Sequence, residues 1–384
     1  MTVDLREGAN RLAVARPRPP AERVDPVGGT ARPGRGAPAA HRGRAVVLFV
    51  SLSVALVVVA VVAAGTGQLR IPPLEVLGSV LRHVGIDWLP GPSHPQGDAA
   101  LWDVRFPRVV MAMLVGAALA VAGAVMQGIF GNPLADPGVV GVSSGSALAA
   151  STVIVFGLTF AGTWTTALFA FAGGLVTAIG VYLLSRSQGR TEVVTLILTG
   201  IAVNAVAGAG LAFLTFLGDT QAREQIVFWQ LGSLNGTRWQ YVTVVVVLVA
   251  VGITAALGFA RKLDLLSLGD RSATHLGLDV ERLRAVAIVV VALLTAAAVA
   301  FCGIISFVGL VVPHMVRMIT GPGHRVLVPA SALGGAVLLM LADLAARTAV
   351  AYADLPIGML TALVGGPFFF WLLRRARRSA GGWA

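Results

Sequence analysis

Apolar residues in this chain come in long runs, each near the ~20 residues that cross a bilayer as a helix, and polar stretches carrying Pro, Gly and Arg separate them. The first run covers Ala45 to Gly65, after Arg42 and Arg44. It exceeds the roughly 7–15 apolar residues of a secretory signal core, so it reads as a retained span. A longer polar connection, residues 67–104, holds Pro72, Pro73, Pro90, Pro92 and Pro95 with Trp88 and Trp102, as an outer loop with interfacial tryptophans would. Nine further runs follow. They cover Arg105 to about Ile129, a stretch from about Val139, Trp164–Leu184, Val193–Leu217, Tyr241–Ala260, Leu283–Cys302, Gly303–Met318, Val326–Ala346 and Leu355–Leu373. The pattern predicts an all-α polytopic membrane protein with about ten transmembrane helices over residues 45–375.

Counting basic residues orients it. With the tail before Arg42 left aside, fifteen Arg or Lys fall on one face and seven on the other, although the second face has the longer loops. Positive charge collects on the cytoplasmic side, so both termini are expected inside. Residues 1–44, rich in Arg, Pro, Gly and Ala, are too poor in apolar surface to fold and are read as a disordered basic cytoplasmic tail, with 376–384 as a second tail. A faint repeat links GNPLADPG (131–138) with GPGHRVLVP (321–329), each leading into a small-residue segment. Halves of five spans would have inverted topology, a common transporter plan.

Composition agrees: 56% hydrophobic and 12% charged residues, with mean hydropathy +0.83, lie outside the range of soluble domains. The net charge of +11 is spent on orientation, not on nucleic acid. Cys302 is alone, so no disulfide or cysteine metal cluster forms within the chain. A Walker A loop is absent, the sole lysine being Lys262 in Ala260-Arg261-Lys262-Leu263, so any ATP-driven motor is a separate chain. An ion-coupled carrier is expected to keep ionisable groups at mid-membrane, and a membrane-embedded enzyme paired carboxylates or a His cluster. Neither pattern stands out.

Six blocks together are similar to the permeases of bacterial importers for ferric siderophores, haem and cobalamin, the FecCD-like ABC family. They are RFPR…GAALAVAGAVMQ…NPLADPGVVGVSSGS, LILTGIAVNA, FWQLGSLNG, LGDRSATHLGLD, FVGLVVPHMVR and LPIGMLTALVGGPFF. The resemblance implies an inner-membrane permease, paired with a second copy or a close paralogue, on two ATPase subunits that hold ATP and Mg. A soluble or lipid-anchored binding protein would deliver the metal chelate, and no cofactor is expected on this chain.

The resemblance also implies site residues. Arg105, Arg108 and Arg347 would receive carboxylates of the binding protein. In 263–284, Leu265, Leu266, Leu268, Gly269, Asp270, Arg271, Gly277 and Asp279 would form the coupling segment that docks on the ATPase. Thr195, Thr199, Gly200, Asn204 and Gly208 would line a weakly binding path. From spacing alone, Asp343 is placed to pair with Arg347 four residues on, and Asp136 to cap the following helix. His314 and Arg317 read as helix-end structural residues, without a second ligand at metal spacing. Asp354 stands where the family often has Glu, and the shorter reach leaves its bond open.

Overall fold

The computed structural model describes residues 37–187, 190–350 and 353–379. In order it runs α1 (Ala37–Gly65), α2 (Pro73–His83), a single turn α3 (Gly97–Ala99) that passes through a π-helical segment into α4 (Phe106–Phe130), α5 (Val142–Val155), α6 (Thr165–Leu184), the two-residue antiparallel strands β1 (Arg186–Ser187) and β2 (Arg190–Thr191), and α7 (Val193–Leu217). The second half holds α8 (Thr220–Leu231), α9 (Trp239–Leu266), α10 (Asp270–His275), α11 (Val280–Cys302), α12 (Val308–Thr320), α13 (His324–Thr348) and α14 (Ile357–Ser379). Of the tail expected over residues 1–44, residues 1–36 lie outside the described set, and the chain is already helical from Ala37. At the other end α14 continues to Ser379, past the expected boundary at 376.

Among the described residues seven helices are long and apolar enough to cross a membrane, and three shorter apolar ones, Val142–Val155, Val308–Thr320 and Ile357–Trp371, occupy the other three predicted positions. The protein is a multi-pass helical membrane protein. At about 1.5 Å per residue, the 14 residues of α5 and the 13 of α12 fall short of a ~30 Å core. The run predicted from Gly303 becomes helical only at Val308, because Gly303 (φ 69°) and Phe307 (φ 67°) are left-handed. Among the ten apolar helices, the short α5 and α12 each stand third in a half of five, and the two most enclosed spans, α4 and α11, each stand second. The repeat noticed in the sequence does not follow this correspondence, since the GPGHRVLVP turn lies between α12 and α13.

Small residues set the core. α4 is 78% buried over its apolar window, and Val115, Ala118, Ala120, Val121, Ala122, Ala124 and Val125 are sealed off completely. A Cβ on Gly116 would collide with the carbonyl of Gly335 on α13, and a Cβ on Gly335 with that of Gly116. Backbones that close gain dispersion contacts along the crossing, the usual source of helix association in lipid. Gly123 meets the carbonyl of Gly309 on α12 in the same way. By contrast α7 is only 17% buried, packed through one side.

Candidate functional site

At the end of the bundle expected to face outward, arginines from two helices meet the last turn of a third. Helix ends leave carbonyls unpaired, and here the C-terminal end of α1 is capped by guanidinium groups. Arg105 donates to Ala64 O (2.7 Å) and to Leu69 O, while Arg347 donates to Thr66 O (3.1 Å) and Ala63 O (3.0 Å). Asp343 stands between the cations: its Oδ1 accepts from Arg108 Nε (2.9 Å) and its Oδ2 lies 3.0 Å from Arg347 Nε. Arg108 Nη1 reaches Asp354 Oδ2 at 2.7 Å. The Asp343 side chain is 2% exposed and that of Arg108 11%, whereas Asp354 is 37% exposed.

The expected pair Asp343–Arg347 forms, and Asp354 finds a definite partner. Arg105, Arg108 and Arg347, the arginines expected to receive a binding protein's carboxylates, are turned inward here and bonded to this chain's own acceptors. The signal was partly present in the sequence, because Asp343 is the most deeply placed acid of its span. The carbonyls of α1, nearly 300 residues from Arg347, left no trace in it.

Along α7, the expected path residues divide between two sides. Gly200 and Asn204 face inward. Gly200 packs on the carbonyl of Val139, and Asn204 accepts from Ser144 Oγ (2.5 Å) and reaches Gly138 O (3.4 Å), seating α7 on the turn before α5. Thr195 donates to Glu192 Oε2 (3.2 Å), and Thr199 is half-buried. Gly208 lies on the open side with Ile201, Val206, Phe213 and Phe216, all more than half exposed apart from the glycine, which is exposed with nothing near it. That face carries no charge.

At the opposite end, α9 runs on to Leu266 and so includes the first residues of the segment expected to couple to the ATPase. Of the three leucines expected there, Leu266 is buried, Leu265 is half-buried against the core and Leu268 is exposed, as is Leu276 beyond them. Gly269 (φ 95°) and Gly277 (φ 82°) bracket α10, as their spacing suggested. Asp279 caps α11 by accepting from the Arg282 amide (3.0 Å), Arg271 is exposed, and Asp270 is held by Arg284. Three inner contacts escaped the sequence reading. Asp264 Oδ1 accepts from the His324 amide and bonds its ring Nδ1, both at 2.7 Å. Gln127 accepts from Arg317 Nη1 (3.0 Å), giving Arg317 the structural role expected of it. Arg284 is the third and is taken up below.

In the turn after α4, Asp136 accepts from the Gly138 amide (2.7 Å) as a cap, although burial holds its carboxyl above the ordinary range against the opposing pull of that bond. 

The model of the FecCD transport family matches residues 54–375. Similar proteins include the hemin transport system permease HmuU of Yersinia pestis, 43% identical over 290 residues, covering 74% of this chain and 86% of that one. The cobalamin import permease BtuC of Halobacterium salinarum is 43% identical over 277 residues, 71% of this chain and 72% of that one. The ferric dicitrate permease FecD of Escherichia coli is 42% identical over 291 residues, 76% and 89%. Among solved structures, an inward-facing metal-chelate type ABC transporter superposes with TM-score 0.73 at 33% identity, covering 86% of this chain and 99% of that one.

Proposed function

This chain belongs to the FecCD transport family, and from that premise we propose that it carries a ferric siderophore across the bacterial cytoplasmic membrane. It is a permease of a metal-chelate ABC importer, a transporter and not itself an enzyme. In our reading two copies, or this chain and a close paralogue, form the path between them. Two ATPase subunits drive it from the cytoplasmic side, where both termini lie, and a binding protein delivers the chelate outside.

The observation that carries the reading is the open face of α7. Ile201, Val206, Gly208, Phe213 and Phe216 offer an extended, uncharged surface. A ferric siderophore wraps its metal in its own donor atoms, so the path needs to supply bulk and low friction, not ligands. Relatives are named for hemin, cobalamin and ferric dicitrate, each a metal held in an organic chelate. Choice among cargoes then rests with the binding protein. For its docking we propose an exchange. Asp354, partly exposed, holds Arg108, and an incoming carboxylate that displaces it would gain a planar two-point partner.

The test is uptake into vesicles holding the permease with candidate ATPase and binding-protein partners, offered radiolabelled ferric siderophore, haem or cobalamin. ATP-dependent accumulation of the siderophore supports the reading. Haem or cobalamin carried in its place reassigns the cargo, and uptake driven by an ion gradient without partners overturns the mechanism.

A further inference from the structure

Arg284 sits on the second turn of α11 with 8% of its side chain exposed, and it joins α10 and α11 to the distant strand β2 that leads into α7. Its Nη2 donates to both carboxylate oxygens of Asp270, at 2.9 Å each, at the start of α10. Nη1 donates to the carbonyl of Thr191 (3.1 Å) and lies 3.6 Å from Glu281 Oε1. Glu281 in turn accepts from the Thr191 amide through Oε2 (3.0 Å). Thr191, two residues before α7, is therefore gripped at both its N–H and its C=O by side chains of α11. The same guanidinium holds α10.

We propose that Arg284 is the positioning residue that conveys displacement of α10 into α7. The proposal rests on the reading of α10 as the surface met by the ATPase. Two ties leave the inner segment, and their far ends differ in how readily they yield. Asp264 fastens the end of α9 to His324, the first residue of α13. That helix is locked on α4 where Gly116 and Gly335 leave no space even for a methyl group. The other tie ends at α7, which is packed on one side, with 17% of the residues in its apolar stretch buried against 56% for α13. A push shared between a clamped helix and a loosely seated one moves the loose one, and α7 carries the open face assigned above to the path. Arginine suits the task because its rigid fork serves a carboxylate with one nitrogen and a carbonyl with another, which a lysine ammonium at one point cannot do.

The experiment uses the full permease assembled with its ATPase and binding protein, comparing Arg284→Lys and Glu281→Ala with the parent. Assembly is read by co-purification, turnover by phosphate release, and transport by uptake per ATP hydrolysed. The distance between spin labels at Val206 on α7 and Leu341 on α13 is followed with and without ATP. A residue that merely supports the fold would lower turnover and uptake together. A transmitting residue leaves assembly and hydrolysis near parental values, lowers uptake per ATP by about tenfold, the equivalent of one charge-assisted hydrogen bond, and abolishes the ATP-dependent distance change. Unchanged uptake per ATP and an unchanged distance response overturn the proposal. If Arg284→Lys fails to accumulate, Glu281→Ala carries the test, since it releases the Thr191 amide while Arg284 keeps both oxygens of Asp270 and the surface of α10 is unchanged. Leu268→Asp reads the premise separately: if assembly with the ATPase survives, α10 is not the contact surface and the proposal falls with it. If assembly is lost there while both other variants transport normally, the premise stands and Arg284 alone is excluded.

Discussion

Asp343→Asn is the substitution that most directly tests the outer ionic cluster. The cluster holds Arg105, Arg108 and Arg347 against Asp343 and Asp354, a net charge of 3 − 2 = +1, and the change raises it to +2. Size and shape are kept, so no cavity confuses the result. What is lost is the one carboxylate that faces two guanidinium groups at 2.9 and 3.0 Å from a site only 2% exposed. Removing one partner of a buried pair costs about 3–5 kcal/mol, because the remaining charges keep their desolvation penalty. The lower part of that range is expected here, since Arg347 retains two carbonyls and Arg108 retains Asp354. Asp354→Asn is the control. Its carboxylate is 37% exposed and screened by solvent, so the pair is worth about 1 kcal/mol or less. With roughly 2 °C per kcal/mol in a chain of this size, thermal unfolding of purified protein in detergent should fall by about 6 °C or more for Asp343→Asn and by about 2 °C at most for Asp354→Asn. Equal shifts in the two variants would refute the view that Asp343 is the buried centre of the cluster. So would an unchanged melting temperature in Asp343→Asn.

Three further outcomes follow from the packing. Gly335→Ala drives a methyl group into the carbonyl of Gly116 and should cost about 1–3 kcal/mol by overpacking, while Gly180→Ala on α6, with nothing within 4 Å of the new atom, should leave melting unchanged or raise it slightly; equal losses would remove the close crossing as the cause. Asp136 has its carboxyl raised by burial, so its contribution is present at low pH and fades as pH rises through the folded-state value; Asp136→Asn, neutral throughout and still able to accept from Gly138, should melt at or above the parent at pH 7, with the difference closing as pH falls toward about 4. A variant that lost more stability at pH 7 than at pH 4 would reverse that sign. Cys302, the sole cysteine, is 2% exposed, so the native chain should resist a maleimide that labels Val206→Cys on the open face of α7 within minutes, and comparable rates would contradict the assigned faces.

The sequence by itself determined the class of the molecule, most of its helix limits and its family. Runs of apolar residues can satisfy their backbone in lipid only as helices, so α6, α7, α9, α11 and α13 lie within a few residues of their predicted bounds, except that α9 carries on past Ala260 to Leu266. Asp343–Arg347 was legible because four residues on a helix bring side chains together, and the flanks of α10 because two glycines interrupt the run. Only the tertiary structure decided which residues are available. Leu266 was expected in a partner-facing segment, and α9 runs on to it and buries it. Arg105 and Arg347 looked outward because their helices end outside, yet they close the carbonyl end of α1. Arg284 had no local signal at all. Its partners, Asp270 and Thr191, are 14 and 93 positions away, and contacts of that kind are set by where helices pack, which depends on backbone approach at glycines and not on the pattern of any one segment.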